Sequence, residues 1–205
     1  MSLYSFLQKI LHYFKCVIIT KSEIGILQKK KFFCFGKDSI INRPCLQLSG
    51  LDKVSIGNGT TILQGCRLAV FGDSDRKRPS ILVGDGCYIG FNNTILSSAD
   101  GSVTIGNNVI FASNILVTNE NHRIDPESTI PYMDQELSFS NVEIGDGCWI
   151  GEKVCILSGV TIGKKCVIGA GSVVTKSIPD YCIAVGNPAK VIKKYDFAKH
   201  QWEKV

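Results

Sequence analysis

The 205 residues contain only three histidines, and one of them, His122, lies in the stretch TNENHRIDPES at 118–128. Imidazole titrates near neutrality, so a histidine placed on a loop can take a proton from a hydroxyl and return it to a leaving group. Asp125 follows closely and precedes Pro126; its carboxylate either orients the imidazole or shapes the turn before the proline. His12 falls in an amphipathic N-terminal stretch and His200 in a polar tail, so neither is placed for this chemistry. The nine cysteines contain no CxxC pair, which argues against both a zinc centre and a redox motif.

A histidine of this kind needs a scaffold, and the scaffold is written as a repeat. From Ile144 an aliphatic residue recurs every six positions, at Ile150, Ile156, Ile162, Ile168 and Val174. The same phase appears upstream at Ile56, Ile62 and Leu68, at Val83, Ile89 and Ile95, and at Ile105, Phe111 and Val117. Neither a helix, with its three-and-four spacing, nor a plain alternating strand repeats this way. Short strands joined by tight corners do, with glycine or asparagine taking the bend. Three such units close a triangular coil, and stacked coils pair their backbones about 4.8 Å apart.

The fourth position after each aliphatic carries small or β-branched residues, including Cys66, Cys87, Cys148 and Cys166, which read as core packing. Asn93 stands in the same series. A buried amide must be hydrogen-bonded, so Asn93 is either a polar ladder residue within the coil, the favoured reading, or part of a site.

The repeat breaks once at length. Val117 and Ile144 are 27 positions apart where one unit takes six, and long insertions on a rigid scaffold tend to carry function. His122 opens this insertion.

Composition narrows the classes. A net charge of +5 with scattered basic residues, and no basic stripe interleaved with aromatics, argues against a dedicated nucleic-acid protein. No run of 18 apolar residues exists, and the N-terminus lacks the pattern of a signal peptide. A cytoplasmic location follows as the expectation.

The segment IGDGCWIGEKVCILSGVTIGKKCVIGAGSVVTKSIPDYCIAVGNPAKVIKK, 144–194, with VTIGNNVIFASNILVTNENHRIDP upstream, resembles the hexapeptide-repeat acyltransferases. It is most similar to sugar O-acetyltransferases of the galactoside and maltose type, over about residues 83–194. The resemblance implies a left-handed parallel β-helix, a homotrimer, and acetyl-CoA as co-substrate in the cleft between subunits, without a metal; the zinc-dependent branch needs three histidines at its interfaces, and only His122 lies in the repeat region. It implies that His122 is the general base of direct transfer to an acceptor hydroxyl, with no acyl-enzyme. Trp149 corresponds to the tryptophan beside the cleft, or serves as an outward aromatic for trimer packing. Gly151, Ala170 and Thr175 correspond to positions along the pantetheine arm, and Lys190 to a basic position near the CoA phosphates, shared with Lys193 and Lys194 or simply part of a solvated tail. Asn92, Asp100 and Asp125 are the candidates for acceptor binding, with local turn-making as the competing role of each.

The expected organisation is an N-terminal helical or capping segment over 1–50, an all-β solenoid over 51–186 with an inserted loop at 119–141, and a short helical C-terminal tail over 187–205. The segment of the galactoside and maltose enzymes that would precede the repeat is not visible. Leu3, Phe6, Leu7, Ile10, Leu11 and Phe14 instead suggest an amphipathic helix, either a cap on the open coil or a contact for the inner membrane surface through residues 1–20. The acceptor class that fits is a sugar of a cell-surface polysaccharide. Rival readings are N-acetylation of an amino sugar, O-acetylation of another small acceptor such as serine or an antibiotic, and a non-catalytic structural subunit. Residues 72–80, GDSDRKRPS, read as a solvated turn.

Overall fold

The structure, a computed structural model, describes residues 23–205 apart from Asp73 and Arg76. The expected amphipathic helix over 1–20 lies outside these residues. Coils follow one another in chain order. The first holds β1 (Cys34–Phe35), β2 (Ile40–Ile41) and β3 (Gln47–Ser49); the second β4 (Val54–Ile56), β5 (Thr61–Ile62) and β6 (Arg67–Phe71). The third holds β7 (Ile81–Val83), β8 (Tyr88–Ile89) and β9 (Thr94–Ser98), and the fourth β10 (Val103–Ile105), β11 (Ile110–Phe111) and β12 (Leu116–Thr118). A hairpin of β13 (Glu120–His122) and β14 (Leu137–Phe139) interrupts the series. The repeat resumes with β15 (Val142–Ile144), β16 (Trp149–Ile150) and β17 (Cys155–Ile156), then β18 (Thr161–Ile162), β19 (Val167–Ile168) and β20 (Val173–Val174). β21 (Cys182–Val185), β22 (Lys190–Asp196) and β23 (Gln201–Lys204) close the chain.

Corresponding strands of successive coils pair in parallel, giving three long sheets. The first face runs β1-β4-β7-β10-β15-β18, the second β2-β5-β8-β11-β16-β19-β21-β22-β23, and the third β3-β6-β9-β12-β17-β20. This is a three-sided parallel β-solenoid, and the six-residue register is its physical cause. Ile62, Ile89, Phe111, Ile150 and Ile168 stack as one inward column of the second face, each at most 1% exposed. The four register cysteines are buried as well, and three of their thiols donate to carbonyls of the next coil: Cys87 to Gly106, Cys148 to Gly163 and Cys166 to Pro179. The eight cysteines among the described residues are free.

Corner residues satisfy the backbone where strands end. Asn58, Asp85, Asn107 and Asp146 form a ladder in which each side chain accepts the main-chain N–H one coil below. Asn93 bridges two coils from inside, bonding upward to the next coil. Its amide donates to the Gly90 and Ala112 carbonyls at 2.9 Å, and its oxygen accepts from Ile115 N–H at 2.8 Å. It is a buried ladder residue.

Two boundaries differ from expectation. Strand pairing begins at Cys34, not at 51, because β1, β2 and β3 already stack on β4, β5 and β6; before it, the described chain has a single helical turn, α1 (Ile26–Lys29). The C-terminal segment is not helical. β22 and β23 form an antiparallel hairpin that extends the second face, held by Tyr195 edge-on to Trp202 at 5.3 Å and by Asp196, which accepts from the N–H groups of Ala198 and Lys199 at its turn. Cross-strand aromatic packing outweighs the helix propensity of the lysine-rich composition.

Candidate active site

One corner of the solenoid carries the irregular segments. The chain leaves the third face after β6 through 72–80, after β9 through 99–102, and after β12 through the long insertion. These exits stack in adjacent coils, because β6, β9 and β12 pair with one another.

The insertion is built, not loose. β13 and β14 pair antiparallel with His122 opposite Leu137, and the pairing extends to Arg123 N–H donating to Glu136 carbonyl at 2.9 Å. The Arg123–Glu136 ion pair, 3.7 Å apart with both side chains exposed, adds little. Asn119 roots the hairpin: it accepts from Ser98 N–H and donates to Ser97 Oγ, while Ser158 Oγ donates to its carbonyl at 2.7 Å. Gln135 closes the far side. Its amide nitrogen donates to the Asp125 and Ile130 carbonyls, and its oxygen accepts from Asp125 N–H. His122 stands exposed at the end of β13, on a framed strand.

Asp125 takes part in the local turn. Its Oδ1 accepts from Glu127 N–H at 3.0 Å across Pro126. Asp100 lies exposed in the turn after β9, at this same corner, where Gly101 abuts Asn119 and Phe139.

Glu120, two residues before His122, carries the notable electrostatics. It is half-buried, and its Oε2 is a buried oxygen with no hydrogen-bond partner. Burial holds its carboxyl above the usual range, with the charges of His122 and Arg67 pulling the other way. Arg67, on β6, donates from Nε to Gln47 Oε1 at 2.8 Å and lies over the Phe71 ring at 5.9 Å. Sequence reasoning passed over Glu120, Arg67 and Gln135. The signal available for Glu120 was the two-residue spacing to His122, legible only once 120–122 is known to be a strand.

The remaining expected residues gather elsewhere. Asn92, Gly151 and Ala170 lie on the corner between the second and third faces. Asn92 is a turn residue with φ 56°, its N–H donating to Gln64 carbonyl and its amide to Asn114. Gly151 is buried in coil stacking: a Cβ there would come within 2.7 Å of Ala170 N and 2.8 Å of Ile168 O. Ala170 and Gly171 are exposed, and a Cβ on Gly171 would meet nothing within 4 Å, so the last turns of this corner stay open. Trp149 is 55% exposed on the second face, stacked on Ile110 and, beyond it, Tyr88. Lys190 is exposed at the start of β22, opposite Val185. Thr175, exposed just after β20, falls on the His122 corner. A single chain therefore brings His122, Asp100, Asp125 and Thr175 to one edge of the third face, and Asn92, Gly151 and Ala170 to the other. A concavity of about 770 Å³ between Glu23 and Ile40 at the first coil is lined by none of these residues.

Among the described residues no cluster of three or more His, Cys, Asp or Glu side chains could hold a metal ion, and no helix is long and apolar enough to cross a membrane.

Known proteins share the repeat and the fold. Residues 141–176 match the family described as bacterial transferase hexapeptide (six repeats). The chain is 37% identical over 171 residues to the Escherichia coli K12 protein named "Putative lipopolysaccharide biosynthesis O-acetyl transferase WbbJ", covering 80% of this chain and 83% of that one. It is 40% identical over 126 residues to the galactoside O-acetyltransferase of E. coli K12, covering 61% of this chain and 60% of that one. Against other curated relatives the chain spans as little as 39% of their length. The fold superposes on AntD, an N-acyltransferase from Bacillus cereus solved with dTDP and 3-hydroxybutyryl-CoA, with a TM-score of 0.73 over 87% of this chain and 93% of that one at 22% identity. Repeat, solenoid and 37% identity to a relative over four-fifths of both chains agree: the chain belongs to the hexapeptide-repeat acyltransferases.

Proposed function

We propose that the protein is an acetyl-CoA-dependent O-acetyltransferase acting on a hydroxyl of a cell-surface polysaccharide sugar, and that His122 is its general base. The observation that carries this reading is the exposed imidazole of His122 on a hairpin framed by Gln135 and Asn119, at the one long break in the repeat. The 83% coverage of a relative named for lipopolysaccharide O-acetyl transfer supports the acceptor class.

Acetyl-CoA supplies an activated acyl group as its thioester. His122 takes the acceptor hydroxyl's proton as the new C–O bond forms, holds it through the tetrahedral stage, and gives it to the departing sulfur, so no acyl-enzyme is needed. Ala170 and Gly171 leave an open, small-residue edge that fits an extended pantetheine arm held by the backbone there, and the Thr175 hydroxyl would reach a pantetheine arm from the His122 edge. Lys190, with Lys193 and Lys194, supplies positive charge for the CoA phosphates. Gly151 serves this edge indirectly, by letting the coils stack.

The handedness read from the family is left, and the active unit is a trimer. The base and the pantetheine edge lie on opposite sides of the third face in one chain, so a neighbouring copy would bring them into one cleft. The exposed column of Tyr88, Ile110 and Trp149 suits such a contact. Asn92 and Asp100 would meet acceptor or partner there. The location that goes with this reading is the cytoplasm, at the inner membrane surface.

The test is thiol release from acetyl-CoA by the purified protein with a panel of sugars, amino sugars and non-sugar acceptors, with product masses read out. O-acetyl sugar with acceptor-dependent release supports the reading. Products confined to amides, or no release with any sugar, contradict it.

A further inference from the structure

β13 places Glu120 and His122 two residues apart, and strand alternation sends both side chains to the same side. His122 is exposed, whereas Glu120 is half-buried with Oε2 shut away from solvent and unpaired. Among the described residues it is the only buried side-chain nitrogen or oxygen without a partner. Buried polar atoms are nearly always paired, so this one invites a functional explanation.

A glutamate that merely braces the coils looks different. Glu152 spends both oxygens on the scaffold, Oε2 accepting Ser113 N–H at 3.0 Å and Oε1 accepting the Asn114 amide at 2.7 Å, and its carboxyl sits below the usual range through those bonds. Glu120 braces nothing with Oε2, and its carboxyl sits above that range through burial.

The charged groups around it are few. Arg67 comes from β6 but is engaged with Gln47 and Phe71. Arg123 and Glu136, on the hairpin, pair with each other. Asp100 belongs to the turn after β9. His122 is the group on Glu120's own strand face that gains charge during the proposed reaction.

We propose that Glu120 is a positioning residue for His122: its free oxygen accepts an imidazole N–H as the ring becomes charged. This rests on the reading of His122 as base. The proton removed from the acceptor goes to the ring and then to sulfur; Glu120 never takes it. It fixes which ring nitrogen faces the acceptor and stabilises the imidazolium, the part a buried carboxylate plays behind other catalytic histidines.

The experiment compares pH profiles of kcat and kcat/KM for the wild type, Glu120→Gln, Glu120→Asp and His122→Ala, using the acceptor that supports thiol release. With Glu120→Gln, kcat is expected to fall about 10-fold while acceptor KM changes little. The acidic limb of kcat/KM should move to lower pH, because imidazolium loses its proton more readily without the neighbouring anion. Glu120→Asp should recover part of both. A wild-type limb in Glu120→Gln overturns the proposal, as does a raised acceptor KM at constant kcat, which would make Glu120 an acceptor contact. Wild-type activity in His122→Ala would instead overturn the base itself, a separate result.

Discussion

At the scale of single residues, function and stability oppose each other at Glu120. Its folded-state carboxyl is raised by burial, so the native state holds a proton that the unfolded chain releases more readily. The native state therefore binds more protons from the ordinary glutamate range upward, and stability falls as pH rises through that window. Glu120→Gln removes the penalty: its melting temperature at pH 7 should exceed the wild type's by a few degrees, and the difference should vanish as both proteins are taken to pH 4. Differential scanning calorimetry at the two pH values checks this. A variant more stable yet slower would show the trade expected of a site residue.

Asn93 makes the opposite case. Replacing it with leucine strands one N–H and two carbonyls inside the coil, at a cost of about 3 kcal/mol or more in urea unfolding. Gly151→Ala should destabilise by about 2 kcal/mol through overpacking against Ala170. A loss of CoA affinity in that variant without a loss of stability would favour a direct ligand role over the stacking role.

At the scale of elements, the repeat was legible because each aliphatic in register meets the same neighbour one coil on, so the period is a direct record of burial. His122 was legible because the register fails around it. The hairpin that presents it was not. Glu120, Asn121 and His122 are polar on both faces, and only the pairing with Leu137–Phe139 makes them a strand. The first coil escaped notice because Cys34–Ser49 carries a single corner glycine, Gly36, and turns its next corner through Arg43-Pro44, and the C-terminal hairpin because its lysines suit a helix taken alone. Asn92 and Asp100 keep the ambiguity typical of turn residues. Gln135 is the element's fastening. Gln135→Ala removes three hydrogen bonds that shape the loop without touching the coils. Acetyl transfer should fall about 10-fold while the melting temperature moves by less than about 2 °C, since loop opening lies at the low end of local stability.

At the scale of the whole molecule, the solenoid leaves one apolar column facing outward and divides the expected site between two edges of one face. Both features suit an assembly of copies around a shared axis, in which each cleft draws on two chains. Light scattering on the 22.4 kDa chain should give three times that mass. Trp149→Glu, which puts a charge in the middle of the exposed column, should yield monomers with near-native circular dichroism and at most a few per cent of the activity. Inactive trimers would place Trp149 in the cleft rather than in the contact. The account as a whole turns on the one histidine the repeat breaks off to present. Acceptor-dependent thiol release should fall about 100-fold or more in His122→Ala with the fold and mass of the assembly unchanged, and equal release by the two proteins would contradict it.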